Sequence, residues 1–228
     1  MQRSVNTFVF TILVFVVVLP TASNGAIMCS RCDELYPDFG DEWYECYSKC
    51  ASPIVINLEP GPLKLTGTGD SVLFDIDADG QLESLCWTDP AFLAGFLTLD
   101  RDGNGQIDHG GELFGNHTPQ PTTDTPNGFN ALEMYDRPET GGNGDGWISA
   151  EDSIFPLLRI WVDGNHDGLS QASELTPLRA WGIRAISVSY VDTKRTDRYG
   201  NWLRWSSLVE FDNGRRLAAT DVFFVLDN

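Results

Sequence analysis

Asp163-Gly164-Asn165-His166-Asp167-Gly168-Leu169-Ser170-Gln171-Ala172-Ser173-Glu174 is the stretch on which the reading of this chain turns. It sets oxygen-bearing side chains at loop positions 1, 3, 5 and 12 and glycine at position 6. A tight loop turns every second side chain inward, Gly168 permits the sharp bend, and Leu169 offers its carbonyl at position 7. Glu174, expected to open a helical turn, would close the shell with both carboxylate oxygens. Calcium accepts such a flexible set of oxygens; magnesium, which demands a compact octahedron and gives up water reluctantly, fits less well.

The spacing returns upstream. Asp100, Asp102, Asn104, Gln106 and Asp108 alternate around Gly103 and Gly105, Ile107 takes the apolar position that pins such a loop to a core, and Glu112 supplies an acid one residue late. Asp75, Asp77 and Asp79 precede Gly80, with Glu83 as a distal acid at irregular spacing. Asn143, Asp145, the carbonyl of Trp147 and Asp152 form a fourth set. Its first position falls on Gly141, so Asp136 would have to reach in across residues 137–142. Asp, Asn and Gly also mark ordinary solvated turns, which is the plain reading of any one loop. Several loops with the same alternation, glycine and late acid favour calcium. His166, at position 4, is expected to project into solvent, and His109 and His117 are too isolated to build a transition-metal site.

Against 15 basic residues stand 33 acidic ones, a formal charge of -18. That balance argues against nucleic acid or an anionic membrane as partner and makes divalent cations the natural counter-charge. Without metal the clustered carboxylates repel, so calcium is expected to supply part of the folding free energy. At the amino terminus an apolar run, residues 8–19, follows Arg3 and precedes Pro20 and the small residues 21–26. It reads as a signal peptide over residues 1–25, shorter than the roughly 20 apolar residues of a membrane-crossing helix. The expected mature chain is secreted, or periplasmic or at the cell surface, without a stable membrane span.

Cys29, Cys32, Cys46 and Cys50 cluster within residues 26–51. In an exported chain disulfides are the expected state. If antiparallel helices flank them, Cys29–Cys50 and Cys32–Cys46 bonds would staple a hairpin across Tyr36, Trp43 and Tyr47. A four-cysteine zinc knot is the competing reading. Cys86, beside Trp87, is expected to be a buried structural thiol.

Residues 51–53 read as a linker to a second unit, 53–228, of about 175 residues, enough for one core. Apolar runs predict strands over 54–58, 72–75, 96–99, 185–190, 203–211 and 216–225, the last two joined in a hairpin across Asp212-Asn213-Gly214. Spacings of three and four predict helices over 129–135, 151–158 and 172–181. The expected fold is α+β: short antiparallel strands and short helices organised around EF-hand-like calcium loops, preceded by a disulfide-stapled helical hairpin. Trp202 and Trp205, three apart on one strand, are expected on opposite faces, and the tryptophans in the core rather than on a carbohydrate platform.

From Pro53 onward the order of segments resembles the EF-hand-like calcium-binding domain of secreted RTX-type bacterial proteins, including the self-processing module of iron-regulated RTX proteins. The resemblance runs through residues 74–80, Trp87, 99–108, 111–115, 127–129, 143–146, 161–175 and 182–186; the cysteine hairpin lies outside it. It implies calcium binding and, in self-processing members, calcium-triggered cleavage of an Asp-Pro bond whose aspartate attacks its own carbonyl to form an anhydride. The corresponding bond here is Ser52-Pro53, and a serine hydroxyl cannot form that anhydride. The leading expectation is a non-enzymatic calcium-binding protein that presents a surface to an extracellular or cell-surface protein or glycan. Calcium-triggered autoprocessing is the alternative. No nucleophile stands at motif spacing from a base, which leaves a hydrolase with structural calcium in third place.

Overall fold

The structure, a computed structural model, describes residues 29–38, 40–48 and 50–227; the signal-peptide reading lies outside them. In chain order the helices are α1 (Ser30–Leu35), α2 (Asp41–Ser48) and α3 (Gly128–Glu133). The strands are β1 (Ile54–Asn57), β2 (Val72–Phe74), β3 (Glu83–Leu85), β4 (Ala94–Thr98), β5 (Trp147–Ser149), β6 (Arg159–Trp161), β7 (Leu175–Pro177), β8 (Ile183–Ser187), β9 (Val191–Thr196), β10 (Trp202–Phe211) and β11 (Arg216–Phe223). No helix among the described residues is long and apolar enough to cross a membrane.

β1 reads Ile-Val-Ile-Asn without alternation because both of its faces are covered: Ile54 and Ile56 enter one hydrophobic core and Val55 the other. β1 is the middle of a curled antiparallel half-barrel, ordered β5-β8-β10-β11-β1-β4-β6-β7, in which β9 pairs with the free part of the β10 edge used by β8. β2 and β3 form a separate two-stranded ribbon. The β10–β11 hairpin turns at the expected place, with Gly214 at φ +77°.

Within β10 a bulge between Leu203 and Trp205 corrects the expected two-sided placement of the tryptophans. The extra residue restores the phase, and both indoles pack on Phe223, at 5.5 and 5.7 Å. Arg204 lies between them, its guanidinium carbon 4.2 Å from one ring centroid and 4.3 Å from the other. Trp43, Trp87, Trp161, Trp202 and Trp205 are all buried, as core packing requires.

This mostly β fold corrects the α+β expectation. Only three short α-helices form among the described residues; three of the four acidic loops join or follow strands, and the fourth follows α3 but leads into β5. The loop 163–174 lies between β6 and β7, with Trp161 opposite Leu175, so Glu174 leads into a strand. Thr176-Pro177 forbids the helix expected over 172–181, since proline has no amide proton to give and its ring meets the preceding turn. Leu178–Trp181 is a single 3-10 turn instead. Pro156 has the same effect on residues 151–158, which form turns. The helix expected over 129–135 is present as α3, capped by Asn127, whose side chain accepts from the amides of Phe129 and Asn130.

Cys29–Cys50 and Cys32–Cys46 are disulfide-bonded, with Cα separations of 5.9 and 5.7 Å, so the zinc knot falls. Trp43 stacks on Tyr47 at 4.6 Å and Tyr47 meets Phe223 at 5.2 Å, which makes the hairpin a cap on the first core; residues 51–53 are buried beneath it. Cys86 is buried, and desolvation pushes its thiol up to about 11.

Candidate functional site

Four loops repeat one hydrogen-bond scheme. The first aspartate folds back and accepts amide protons on both oxygens. Asp75 takes those of Asp79 and Gly80 (3.0 Å each), Asp100 those of Gly103 and Gly105 (2.8 and 2.9 Å), and Asp163 those of Asp167 and Gly168 (3.2 and 2.9 Å). At position 3, Asp77, Asp102 and Asn143 accept the amide two residues on. Asn165, at the same position, instead donates its side-chain amide to Asp167 at 2.7 Å. At position 5, Asp79, Asn104, Asp145 and Asp167 accept the amides of Gln81, Gln106, Trp147 and Leu169 at 2.7 to 2.9 Å.

The late acid then ties the loop's two ends together. Glu112 accepts from Arg101 and Asp108, Glu174 from Gly164 and Gln171, Asp152 from Asn143 and Ser149, and Glu83 from Ile76. Backbone dipoles pointed at each carboxylate stabilise its ionised form and let like charges sit close together.

Asp136 and Glu83, the two acids expected at irregular spacing, both join this scheme. Asp136 takes the vacant first position of the fourth loop, accepting from Gly144 and Asp145 on one oxygen (3.1 and 3.2 Å) and Gly146 on the other (2.9 Å). The intervening residues make this reach possible by folding into a 3-10 turn, Pro138–Thr140, closed by Gly141 at φ +90°. Glu83 joins Asp75 and Asp77 in a group whose oxygens lie within 4.8 Å of one another, and Asp100, Asp102 and Glu112 form a second such group.

Three of the loops are brought together by the sheet. β4 and β6 pair antiparallel, so the loops that follow them leave from opposite ends, and the two meet by folding toward each other, where the Ile107 amide donates to Ser170 Oγ at 2.6 Å. The Asp75 loop meets the Asp100 loop through the bridge between Asp75 and His109, where the Gly110 amide donates to the Asp75 carbonyl at 2.7 Å. A Cβ on Gly110 would stand 1.7 Å from the Ile76 carbonyl oxygen, so the approach requires glycine. Under all three lies the second core, Phe74, Trp87, Phe96 and Trp161. From it Trp87 Nε1 donates to the buried Asp163 carboxylate at 2.9 Å. The fourth loop stands apart, on β5 at the other end of the sheet order.

His166 departs from the solvated placement expected of it. Its side chain is 13% exposed, with Nε2 3.2 Å from the Asp70 carbonyl and 3.5 Å from the Asp70 carboxylate, tying the loop 163–174 to the turn before β2. Asp108, His109 and Glu112 form a third such group, in which His109 Nδ1 accepts the Gly111 amide proton at 3.1 Å. The groups Asp75, Asp77, Glu83 and Asp100, Asp102, Glu112 offer oxygen alone, which suits a hard cation. Burial raises the pKa of Glu112 against the pull of the Arg101 and Asp108 amides. Burial also raises that of Glu83, reinforced by Asp77, Asp75 and Asp79, while the Leu169 amide lowers that of Asp167.

Asn116, in the sequon Asn116-His117-Thr118, donates its side-chain amide to the Cys50 carbonyl at 2.7 Å and accepts the Ser52 amide at 2.8 Å, which occupies the nitrogen a glycan would take.

The SPM domain family model matches residues 54–225, about three quarters of the chain. The chain is also similar to the iron-regulated protein FrpA of Neisseria meningitidis serogroup C, 31% identical over 203 residues, which covers 85% of this chain and 18% of that relative. The chain thus spans less than a fifth of the relative it matches.

Proposed function

The chain belongs to the SPM domain family, and from that premise and the loop geometry we propose that it is an exported protein that binds several calcium ions, is stabilised by them, and serves as an extracellular interaction module. The observation that carries this reading is the fourfold repetition of one scheme: aspartates held by backbone amides, with a late acid tying the loop ends. A solvated turn needs one such contact, not the whole set in four places. The Asp75 and Asp100 loops gather carboxylates on an oxygen-only donor set, so a calcium ion there would neutralise repulsion that amides alone offset in part. These are EF-hand-like ligand patterns carried on β-hairpins and strand ends. Export is supported by the two disulfides of the hairpin and by the apolar amino-terminal run.

The proposed role is non-enzymatic. At the junction where the resemblance would put an Asp-Pro bond stands Ser52, 4% exposed, whose hydroxyl engages Asn116 and the buried carboxylate of Asp221. A serine there cannot close the cyclic anhydride.

The test is calorimetric titration of the chelated mature protein with calcium, with melting temperature and intact mass recorded before and after. The expected result is more than one ion per chain, an unchanged mass, and a stabilisation of about 2.7 kcal/mol per site at a hundredfold excess over Kd. Absence of both heat and stabilisation ends the proposal. Fragments beginning at Pro53 would replace the non-enzymatic role with autoprocessing.

A further inference from the structure

We propose that the cleft enclosed by the Asp75, Asp100 and Asp163 loops is a docking site for a basic, amphipathic segment of a partner protein. The cleft holds about 720 Å³, floored by Phe74 and Ile107. Three leucines on its wall face solvent: Leu73 is 55% exposed, Leu82 63% and Leu169 63%. Each is a large apolar side chain that folding leaves uncovered. Leu73 is the outward residue of β2, between the buried Val72 and Phe74. Leu82 occupies loop position 8, where the corresponding Ile107 and Ile148 are 1% and 0% exposed. Leucines converging on one cleft differ from the scattered exposed apolar residues normal on any surface, and mark a site that an apolar partner completes.

Charge selects the kind of partner. Across residues 75–83, 100–112 and 163–174 there are eleven carboxylates and one cation, Arg101, a formal -10 with histidine neutral. A calcium ion in each of the three loops would leave a formal -4 across them. Asp108 and Asp167 stand on the rim beside the apolar wall. An anionic lipid surface is repelled, and so is a second copy of this chain at -18. A segment with leucine-sized residues on one face and Lys or Arg on the other satisfies both the wall and the rim. In chelator every carboxylate of the three loops keeps its charge, so binding measured there is independent of the calcium reading.

The experiment is fluorescence anisotropy of a labelled amphipathic Leu/Lys peptide against the full mature chain, in chelator and in calcium. Controls are a scrambled peptide of the same composition and a Leu/Glu peptide of the same pattern. The Leu73→Ser/Leu82→Ser/Leu169→Ser variant changes only exposed side chains, and its melting curve reports that the fold is kept. Expected is binding of the Leu/Lys peptide alone, weakened at least about tenfold in the triple variant. Equal binding of the scrambled peptide, or of the Leu/Lys peptide to the triple variant, overturns the proposal in favour of charge alone. Preference for the Leu/Glu peptide overturns it as well. Self-association in sedimentation that disappears in the triple variant would assign the cleft to a second copy and likewise end it. If calcium does not bind, the chelator series still decides the question.

Discussion

Replacing Asp163 with asparagine separates the two roles assigned to the first position of a loop. The carboxylate is 4% exposed and accepts three N–H groups: Trp87 Nε1 and the Gly168 amide on one oxygen, both at 2.9 Å, and the Asp167 amide on the other at 3.2 Å. A side-chain amide has a single oxygen. Whichever way it turns, its own NH2 faces at least one donor, and that donor loses its acceptor. A buried donor left unpaired costs about 1–3 kcal/mol, and less charge repulsion with Asp167 and Glu174 offsets part of it. Asp163→Asn should therefore lose about 2 kcal/mol in chelator, roughly 4–8 °C in melting temperature for a chain of this size. In calcium the lost site adds about 2.7 kcal/mol at a hundredfold excess over Kd. Urea unfolding followed by tryptophan fluorescence, in chelator and in calcium, measures both, and calorimetry counts the ions. Unchanged midpoints in chelator would refute the hydrogen-bond argument; an unchanged ion count would remove Asp163 as a ligand.

Asp221 is buried, accepts the Gly128 amide, and has its pKa raised from 3.8 to about 6 by desolvation, against the pull of Ser52, Gly128 and Arg204. The folded state then holds this proton more tightly than the unfolded chain, so its contribution to stability falls as pH rises from about 4 to about 6. Asp221→Asn should flatten stability against pH in that window, and urea midpoints that keep the wild-type slope would contradict it. Cys29→Ser with Cys50→Ser opens a link of sequence separation 21, worth about 3 kcal/mol of unfolded-state entropy. Loosened packing of Trp43 and Tyr47 on Phe223 should accompany it, and a melting temperature equal to wild type would show that the hairpin does not cap the core.

The strongest elements could be read in advance because they carry their own pattern. β1, β10 and β11 are continuous apolar or alternating runs, and Asn213-Gly214 announces the turn between the last two. β3, β5, β6 and β7 have three residues each, too short for any period to show. Their strand character comes from partners far along the chain, as when Thr98 pairs with Arg159. The helices expected over 151–158 and 172–181 fail at Pro156 and Pro177, residues whose effect was visible but outweighed by the apolar spacing around them. At the site, the alternation located each loop and the gap at Gly141 pointed back to Asp136, while the 3-10 turn that lets Asp136 reach in, closed by Gly141, belongs to the fold.

What the sequence by itself determined is the chemistry of the loops. Which side chains of a tight turn face inward, and that they carry oxygen, are local properties set by backbone alternation and a glycine. The paired cysteines and the acidic balance were equally local facts. Only the tertiary structure decided that the loops sit on strands, that three of them meet over Trp87 and Trp161 while the fourth stands apart, and that Leu73, Leu82 and Leu169 share a cleft. Those outcomes depend on contacts between residues tens of positions apart, whose closure entropy is repaid only when the whole sheet and both cores form together.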